Sequence, residues 1–192
     1  MPLLKDDDFK VGLDGILINN HYIAESEKFN VGFLDSGTTF TYFPKSLFQI
    51  IKLHFAWFCD QDPENNCKGA FMKWHKDHVL CFEYIEEHWP LGPLTFFKSF
   101  PVLRFRMKTS SATSDTYSYN WYPSEYLYRD KANMYCLAAD TQSGNEIMMG
   151  GTFLRQHNLL FETSRRRVGI AHATCAEDPN QILVEAEMIE AG

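Results

Sequence analysis

The sequence contains no apolar run approaching the roughly 18–20 residues that a membrane-crossing helix requires. A helical span is therefore excluded within these residues. No signal-peptide pattern opens the chain either, because Met1-Pro2-Leu3-Leu4 runs straight into Lys5-Asp6-Asp7-Asp8 before an apolar core can develop. A basic excess is also missing. Lys and Arg number 18 against 25 Asp and Glu, and the resulting net charge of −7 argues against nucleic acid as a partner. Cysteine is sparse, with 5 in 192 residues, and its scattered spacing fits an oxidising compartment. A chain of that compartment without an export signal has either lost it or is a piece of a longer protein.

What is present is enough length for one domain with a sizeable core, and an abundance of aromatic residues, 16 Phe among them. The most informative stretch is Val31 to Pro44. An apolar run (Val31, Phe33, Leu34) leads directly into Asp35-Ser36-Gly37-Thr38, and a β-prone run (Thr39, Phe40, Thr41, Tyr42, Phe43) follows at once. A carboxylate between core strands sits in a low-dielectric setting, where hydrogen bonds or a second charge must manage its ionisation. Ser36 and Thr38 offer hydroxyl donors, and Gly37 lets the backbone turn tightly and approach closely. Such a carboxyl group is placed for acid–base work on water.

Lys10 to Ile23 is predicted to form a hairpin, with Asn19-Asn20 as the turn between apolar runs. Pro44 suits the first position of a helix, and Leu47, Ile50, Ile51, Phe55 and Phe58 fall at helical spacing. Cys59 to His88 is irregular. Cys59 and Cys67 bracket a polar, turn-rich loop that a disulfide could close. His75 and His78 nearby would allow a zinc site, but the cysteine spacing is not that of a finger, so a disulfide-closed surface insertion is expected and no metal. His21, His54, His88, His157 and His172 show no ligand or triad spacing. Phe100 to Met107 alternates apolar with basic residues as a half-exposed strand does, Thr109 to Ser118 is predicted as a loop, and Met134 to Leu137 as a cysteine-bearing strand. Arg165 to Arg167 is expected at a solvated hairpin tip rather than an anion site. The acidic stretch 176–192 is expected to be a linker or frayed tail, and Cys175 has no evident partner.

Asp35-Ser36-Gly37-Thr38-Thr39 behind its apolar strand, followed by Tyr42-Phe43-Pro44, resembles the active-site loop of the pepsin-like aspartic proteases, in the form typical of their C-terminal lobe. A second match lies far down the chain. Ile147-Met148-Met149-Gly150-Gly151-Thr152-Phe153-Leu154-Arg155, continuing to Val168-Gly169-Ile170-Ala171, is similar to that family's closing segment, where an apolar strand ending in glycine crosses beneath the catalytic loop. The departure is Gly151, where the family usually has Asp. Thr39-Phe40-Thr41, the Cys-flanked insertion after the helix, Trp121-x-Pro-Ser-x-Tyr-Leu-Tyr and Phe153 look most like the plasmepsin V-like branch of protists.

The resemblance implies a mainly β fold, the C-terminal lobe of the pepsin-like acid protease, spanning residues 10–175 after a short extension 1–9. It implies Asp35 as a catalytic aspartate, Ser36, Gly37, Thr38 and Thr39 as active-site loop and substrate-binding residues, and Gly150 as support beneath them, since a side chain there would collide with the loop. Thr38 would hydrogen-bond across to a partner loop. A Cys81–Cys136 disulfide follows from the same resemblance. No cofactor is implied. The expected partners are a peptide or protein substrate and an N-terminal lobe carrying the second Asp, for no second loop of this kind occurs here: Asp140-Thr141-Gln142-Ser143 lacks the glycine, and Asp14-Gly15 lacks an intervening Ser or Thr. A secretory-pathway location (endoplasmic reticulum, a vacuole or lysosome-like compartment, or outside the cell) is implied. Three functions compete: one lobe of a two-lobe endopeptidase, a homodimer using Asp35 twice, and a non-catalytic lobe that binds a protein or peptide.

Overall fold

In the computed structural model, Asn19 and Asn20 both adopt left-handed backbone, with φ of 46° and 67°. That is the conformation a two-residue hairpin turn demands, and asparagine tolerates it better than most residues. The turn joins β1 (Lys10–Ile18) to β2 (His21–Glu25), as the sequence predicts. The structure describes residues 1–4, 9–25, 29, 31–67, 72–75, 79–89, 92–109, 115–131 and 133–173. The acidic tail, Cys175, His78 and the side chains of Trp74 and His75 lie outside them.

β3 (Val31–Leu34) and β4 (Thr41–Pro44) flank the acidic loop. α1 (Lys45–Gln61) follows, with Pro44 just ahead of it as the N-cap rather than inside its first turn. The buried face of α1 is Leu47, Phe48, Ile51, Lys52 and Phe55; Ile50 and Phe58 are only partly buried, so the face is rotated toward Phe48 relative to the predicted stripe.

The stretch expected to be irregular contains a hairpin, β5 (Met72–His75) with β6 (Val79–Glu83). Its Leu80, Cys81 and Phe82 are buried, because β6 pairs on its other side with β10 and Phe82 packs edge-on against Phe100. After α2 (Pro93–Lys98), β7 (Leu103–Lys108) alternates buried and half-buried residues as its apolar–basic pattern requires. β8 runs from Thr116 to Trp121, so Thr116 to Ser118 belong to a strand and not to the predicted loop; pairing with β7 outweighs their polar composition. α3 (Pro123–Tyr126), β9 (Leu127–Lys131), β10 (Met134–Leu137), β11 (Ala139–Gln142), β12 (Ile147–Met149), α4 (Gly151–Leu154), β13 (His157–Glu162) and β14 (Arg167–His172) complete the order.

The main sheet has eight strands in the order β11-β4-β12-β3-β1-β7-β8, with β2 added beside β1. A second sheet runs β5-β6-β10-β9, and β13 and β14 form a hairpin. Residues 1–4 are held by the lobe rather than standing apart: Leu3 is buried, its N–H donates to Arg166 O, and Met1 O accepts from Val168 N. Two disulfides close the chain, Cys59–Cys67 and Cys81–Cys136.

The core under the main sheet is aromatic. Phe43 and Phe153 each pack against both Phe105 and Trp121, which also touch one another, and all four are fully buried. Each such side chain contributes about 1.5–3 kcal/mol by leaving water. The polar ends of buried rings are satisfied: Trp121 Nε1 donates to Thr152 O at 2.9 Å and Tyr126 Oη donates to Pro101 O at 2.6 Å. The first of these bonds ties the aromatic core to backbone of the segment that lines the groove.

Candidate active site

β12 lies between β3 and β4, parallel to the first and antiparallel to the second. This insertion fixes the loop above it. Asp35 N–H, one residue past the end of β3, donates to Met149 O at 3.0 Å, the last residue of β12. The Asp35 carboxylate then caps its own turn. Its Oδ1 accepts from Gly37 N–H at 3.0 Å and its Oδ2 from Thr38 Oγ1 at 2.5 Å. A short acidic side chain bonding the backbone two residues on is the usual way Asp stabilises a tight turn.

The donors are thus the Gly37 amide and the Thr38 hydroxyl; Ser36 is exposed. The carboxylate is half-buried, at the surface end of the strands rather than in the low-dielectric interior that the flanking apolar runs suggest. Gly37 has little room for a side chain, since a Cβ there would lie 3.2 Å from Asp35 Oδ1. The Thr38 hydroxyl, which the resemblance would send across to a partner loop, is turned back onto its own aspartate.

Gly150 lies directly beneath. A Cβ at this position would fall 2.1 Å from Phe40 O and 2.7 Å from Thr38 O, both rigid backbone atoms. The space is taken by hydrogen bonds instead: Gly151 N–H donates to Thr38 O at 2.6 Å and Thr152 N–H to Thr39 O at 3.0 Å. Gly151 itself is under no such pressure, as its Cβ would stand 3.5 Å from Thr38 O.

Ser36, Gly37, Thr38 and Thr39 line one wall of an open groove of about 530 Å³. The facing wall is Gly151, Thr152 and the run Leu154 to His157. Arg155 ends the glycine-bearing segment singled out above, whereas Gln156 and His157 carry no signal of their own in the sequence, where His157 shows no ligand or triad spacing. Its only signal is position, directly after the glycine-bearing strand and its short helix.

His157 sits among oxygen atoms. Its Nδ1 lies 2.7 Å from Arg155 O, 3.0 Å from Tyr119 Oη and 3.6 Å from Glu125 Oε1. The Arg155 carbonyl can only accept, and the Tyr119 hydroxyl donates to Phe153 O, so Nδ1 carries the hydrogen. Burial holds the His157 pKa below the ordinary imidazole value, against the bond to Arg155 O, and His172 lowers it further. Burial, reinforced by Glu125, pushes the Tyr119 phenol well up. Glu125 is itself buried, with Oε2 accepting from Tyr122 N–H at 2.8 Å to cap α3. Among the described residues there is no cluster of three or more His, Cys, Asp or Glu side chains able to hold a metal ion.

Residues 8–172 match the family described as xylanase inhibitor C-terminal. Plasmepsin V of Plasmodium falciparum, isolates 3D7 and NF54, is 21% identical over 167 residues, covering 74% of this chain and 26% of the relative. The chain therefore spans about a quarter of the length of these curated relatives. Among solved structures, basic 7S globulin from soybean superposes with a TM-score of 0.62 at 16% identity, over 85% of this chain and 38% of that one. With the loop over a crossing glycine strand in a mainly β lobe, the chain belongs to the xylanase inhibitor C-terminal family, whose fold is the C-terminal lobe of a pepsin-like aspartic protease.

Proposed function

We propose that the chain is the C-terminal half of an aspartic endopeptidase, in which Asp35 is one of two catalytic aspartates. The observation that carries this reading is the Asp35 carboxylate, held by Gly37 N–H and Thr38 Oγ1 in a loop whose next four residues line an open groove. Two carboxylates brought within a few ångströms cannot both ionise, so one retains a proton. The ionised member takes a proton from water as it attacks the scissile carbonyl, and the protonated member hydrogen-bonds the carbonyl oxygen. The second aspartate comes from an N-terminal lobe, and docking of that lobe turns the Thr38 hydroxyl outward. Gly37 and Thr39 line the cleft against a peptide. The two disulfides favour folding in the secretory pathway, and no helix among the described residues is long and apolar enough to cross a membrane.

The test is a peptidase assay at acidic pH on the two-lobe protein, with pepstatin and with Asp35→Ala. Loss of at least about a thousandfold in kcat/KM is expected from removing a catalytic carboxylate. Activity unchanged by Asp35→Ala overturns the assignment. Activity of the 192-residue chain alone, rising with the square of its concentration, would instead indicate a homodimer using Asp35 twice.

A second reading is a non-catalytic lobe that binds a protein or peptide. Gly151, standing where the proteases usually have Asp, favours it. So do an inhibitor's name on the matching family and a globulin's name on the superposed structure. An intact two-lobe protein that is inactive but binds a peptide in competition with pepstatin would select this reading.

A further inference from the structure

The C-terminal half of α1, the β1–β2 turn and the Cys59–Cys67 loop enclose a second recess, which shares no residue with the groove beside Asp35. Its centre is Trp57. This indole is 49% exposed, on the solvent side of α1, where burial contributes little and packing does not require an aromatic residue. Two imidazoles stand edge-on to it, His21 at 6.2 Å and His54 at 6.4 Å between ring centroids. The rim is completed by the side-chain amides Asn19, Gln61 and Asn66.

The recess is preorganised. Asn19 is fixed in the hairpin turn, and its Oδ1 accepts from Val102 N–H at 3.1 Å, which leaves its amide hydrogens to face a ligand. Asn66 Nδ2 donates to Phe58 O at 2.9 Å, which leaves its Oδ1 as an acceptor, and the neighbouring disulfide closes the loop that carries it. Donors and acceptors are therefore both presented around one flat apolar ring.

Charge decides the ligand class. Charged residues make up 22% of the chain, yet among the described residues no Lys, Arg, Asp or Glu lines this recess or the adjoining depression at Tyr22 and Leu53. The nearest described guanidinium, Arg106, lies over the Tyr22 ring at 5.6 Å and does not itself line either hollow, so an ionic ligand would meet no charged side chain among the described lining residues. Amides, imidazoles and an exposed indole suit a neutral ring that is apolar on its faces and hydroxylated at its edge, with C–H groups on the indole and hydroxyls on the amides. The recess holds about 210 Å³. That is below the roughly 300–1,000 Å³ of a site for a drug-sized ligand, so it admits one small ring. The depression of about 420 Å³ beside it shares His21, His54 and Trp57 and leaves room for the chain to continue.

We infer that Trp57, flanked by His21 and His54 and rimmed by Asn19, Gln61 and Asn66, is a binding site for a neutral sugar residue at the end of a glycan. This site does not depend on the catalytic reading of Asp35.

The test follows the Trp57 indole N–H signal by NMR in the isotope-labelled 192-residue chain. Methyl glycosides of glucose, galactose, mannose and N-acetylglucosamine are added singly, then the corresponding trisaccharides. At least one glycoside shifts the signal saturably, with a Kd on the order of 1–10 mM as befits a small neutral ligand. Trp57→Ala, followed at the Asn19 and Asn66 side-chain amide signals because the indole is gone, weakens binding at least about tenfold, as loss of a central aromatic anchor does, and because the side chain is exposed the fold survives. Leu53→Ala, in the adjoining depression, weakens only the trisaccharide if the ligand is a glycan chain, and neither sugar if it is a free monosaccharide, which would overturn the glycan-end assignment. Three outcomes overturn the site itself: no response to any sugar up to about 50 mM, well above the expected Kd; a response undiminished in Trp57→Ala; or a Trp57 signal that moves with protein concentration alone, which would show that a second copy covers the patch.

Discussion

The Thr38 hydroxyl donates to Asp35 Oδ2 across 2.5 Å, so the loop satisfies its own acid instead of leaving it to solvent. Together with Gly37 N–H on Oδ1 it fixes the rotamer of the carboxylate. Thr38→Val keeps the shape of the side chain and removes the donor. The expected cost in the 192-residue chain is about 1 kcal/mol, the usual net value of one hydrogen bond, read as a lowered urea midpoint. Thr38→Ser restores the donor and returns most of the loss. Equal midpoints for Val and Ser would show that the bond does not hold the loop.

Gly150 and Gly151 are adjacent in sequence and opposite in tolerance. A methyl group at Gly150 meets Phe40 O and Thr38 O at distances no Cβ adopts, while at Gly151 it makes ordinary contact. Gly150→Ala must displace backbone of the Asp35 loop and is expected to destabilise by about 1–3 kcal/mol or more. Gly151→Ala opens α4, where alanine is the better helix former, and is expected to lie within about 0.5 kcal/mol of the parent. Chemical denaturation of the two variants side by side measures the contrast. Comparable losses would mean that steric contact with Phe40 O is not the reason for glycine.

Much of the site was legible because short segments encode it. Apolar strand, Asp-Ser-Gly-Thr, apolar strand is a local pattern, and Met149-Gly150 ends a three-residue strand whose place between β3 and β4 explains the glycine. What could not be read depends on distant pairing. Leu80-Cys81-Phe82 becomes an inner, buried strand because, besides its nearby hairpin partner β5, it meets Met134 to Cys136, far along the chain. Thr116 to Ser118 has the composition of a loop and is a strand only because β7 offers a partner. His157 belongs to the same class: its surroundings are assembled from Tyr119, Glu125 and Arg155, and no spacing between them carries the information. Phe48 was missed for a simpler reason, since neighbouring apolar residues on a helix leave the angle of the buried face open.

The two disulfides close loops of very different size, with sequence separations of 55 for Cys81–Cys136 and 8 for Cys59–Cys67. In the chain-entropy model their removal costs about 4 and about 2.5 kcal/mol respectively. The larger one also joins β6 to β10 within the second sheet. Cys81→Ser with Cys136→Ser is therefore expected to lower the thermal midpoint clearly more than Cys59→Ser with Cys67→Ser. Thermal unfolding of the two double variants, monitored by circular dichroism, tests the order; the reverse order would place the stabilising constraint in the surface loop.

His157 gives the lobe a defined response to acid. Burial lowers its pKa in the folded state below the value near 6.5 expected of the unfolded chain. The unfolded chain therefore binds the proton more readily, and stability must fall as pH drops through about 6.5 toward the lower folded value, then level off. The groups facing the ring are Glu125 Oε1, the Tyr119 hydroxyl, the Arg155 carbonyl and His172. An ionised Glu125 would oppose the trend; the shift is downward, set first by burial and then by His172, against the bond to Arg155 O. His157→Gln can retain a hydrogen bond to Arg155 O without a titrating group. Urea midpoints at pH 7.5 and pH 5 are expected to differ less in His157→Gln than in the parent chain, and the difference between the two proteins is expected to be confined to the interval below about pH 6.5. A parent chain that gains stability on acidification through that interval, with the gain lost in His157→Gln, would mean that the protonated ring is held by Glu125 as a buried ion pair, and the sign assigned here would be reversed.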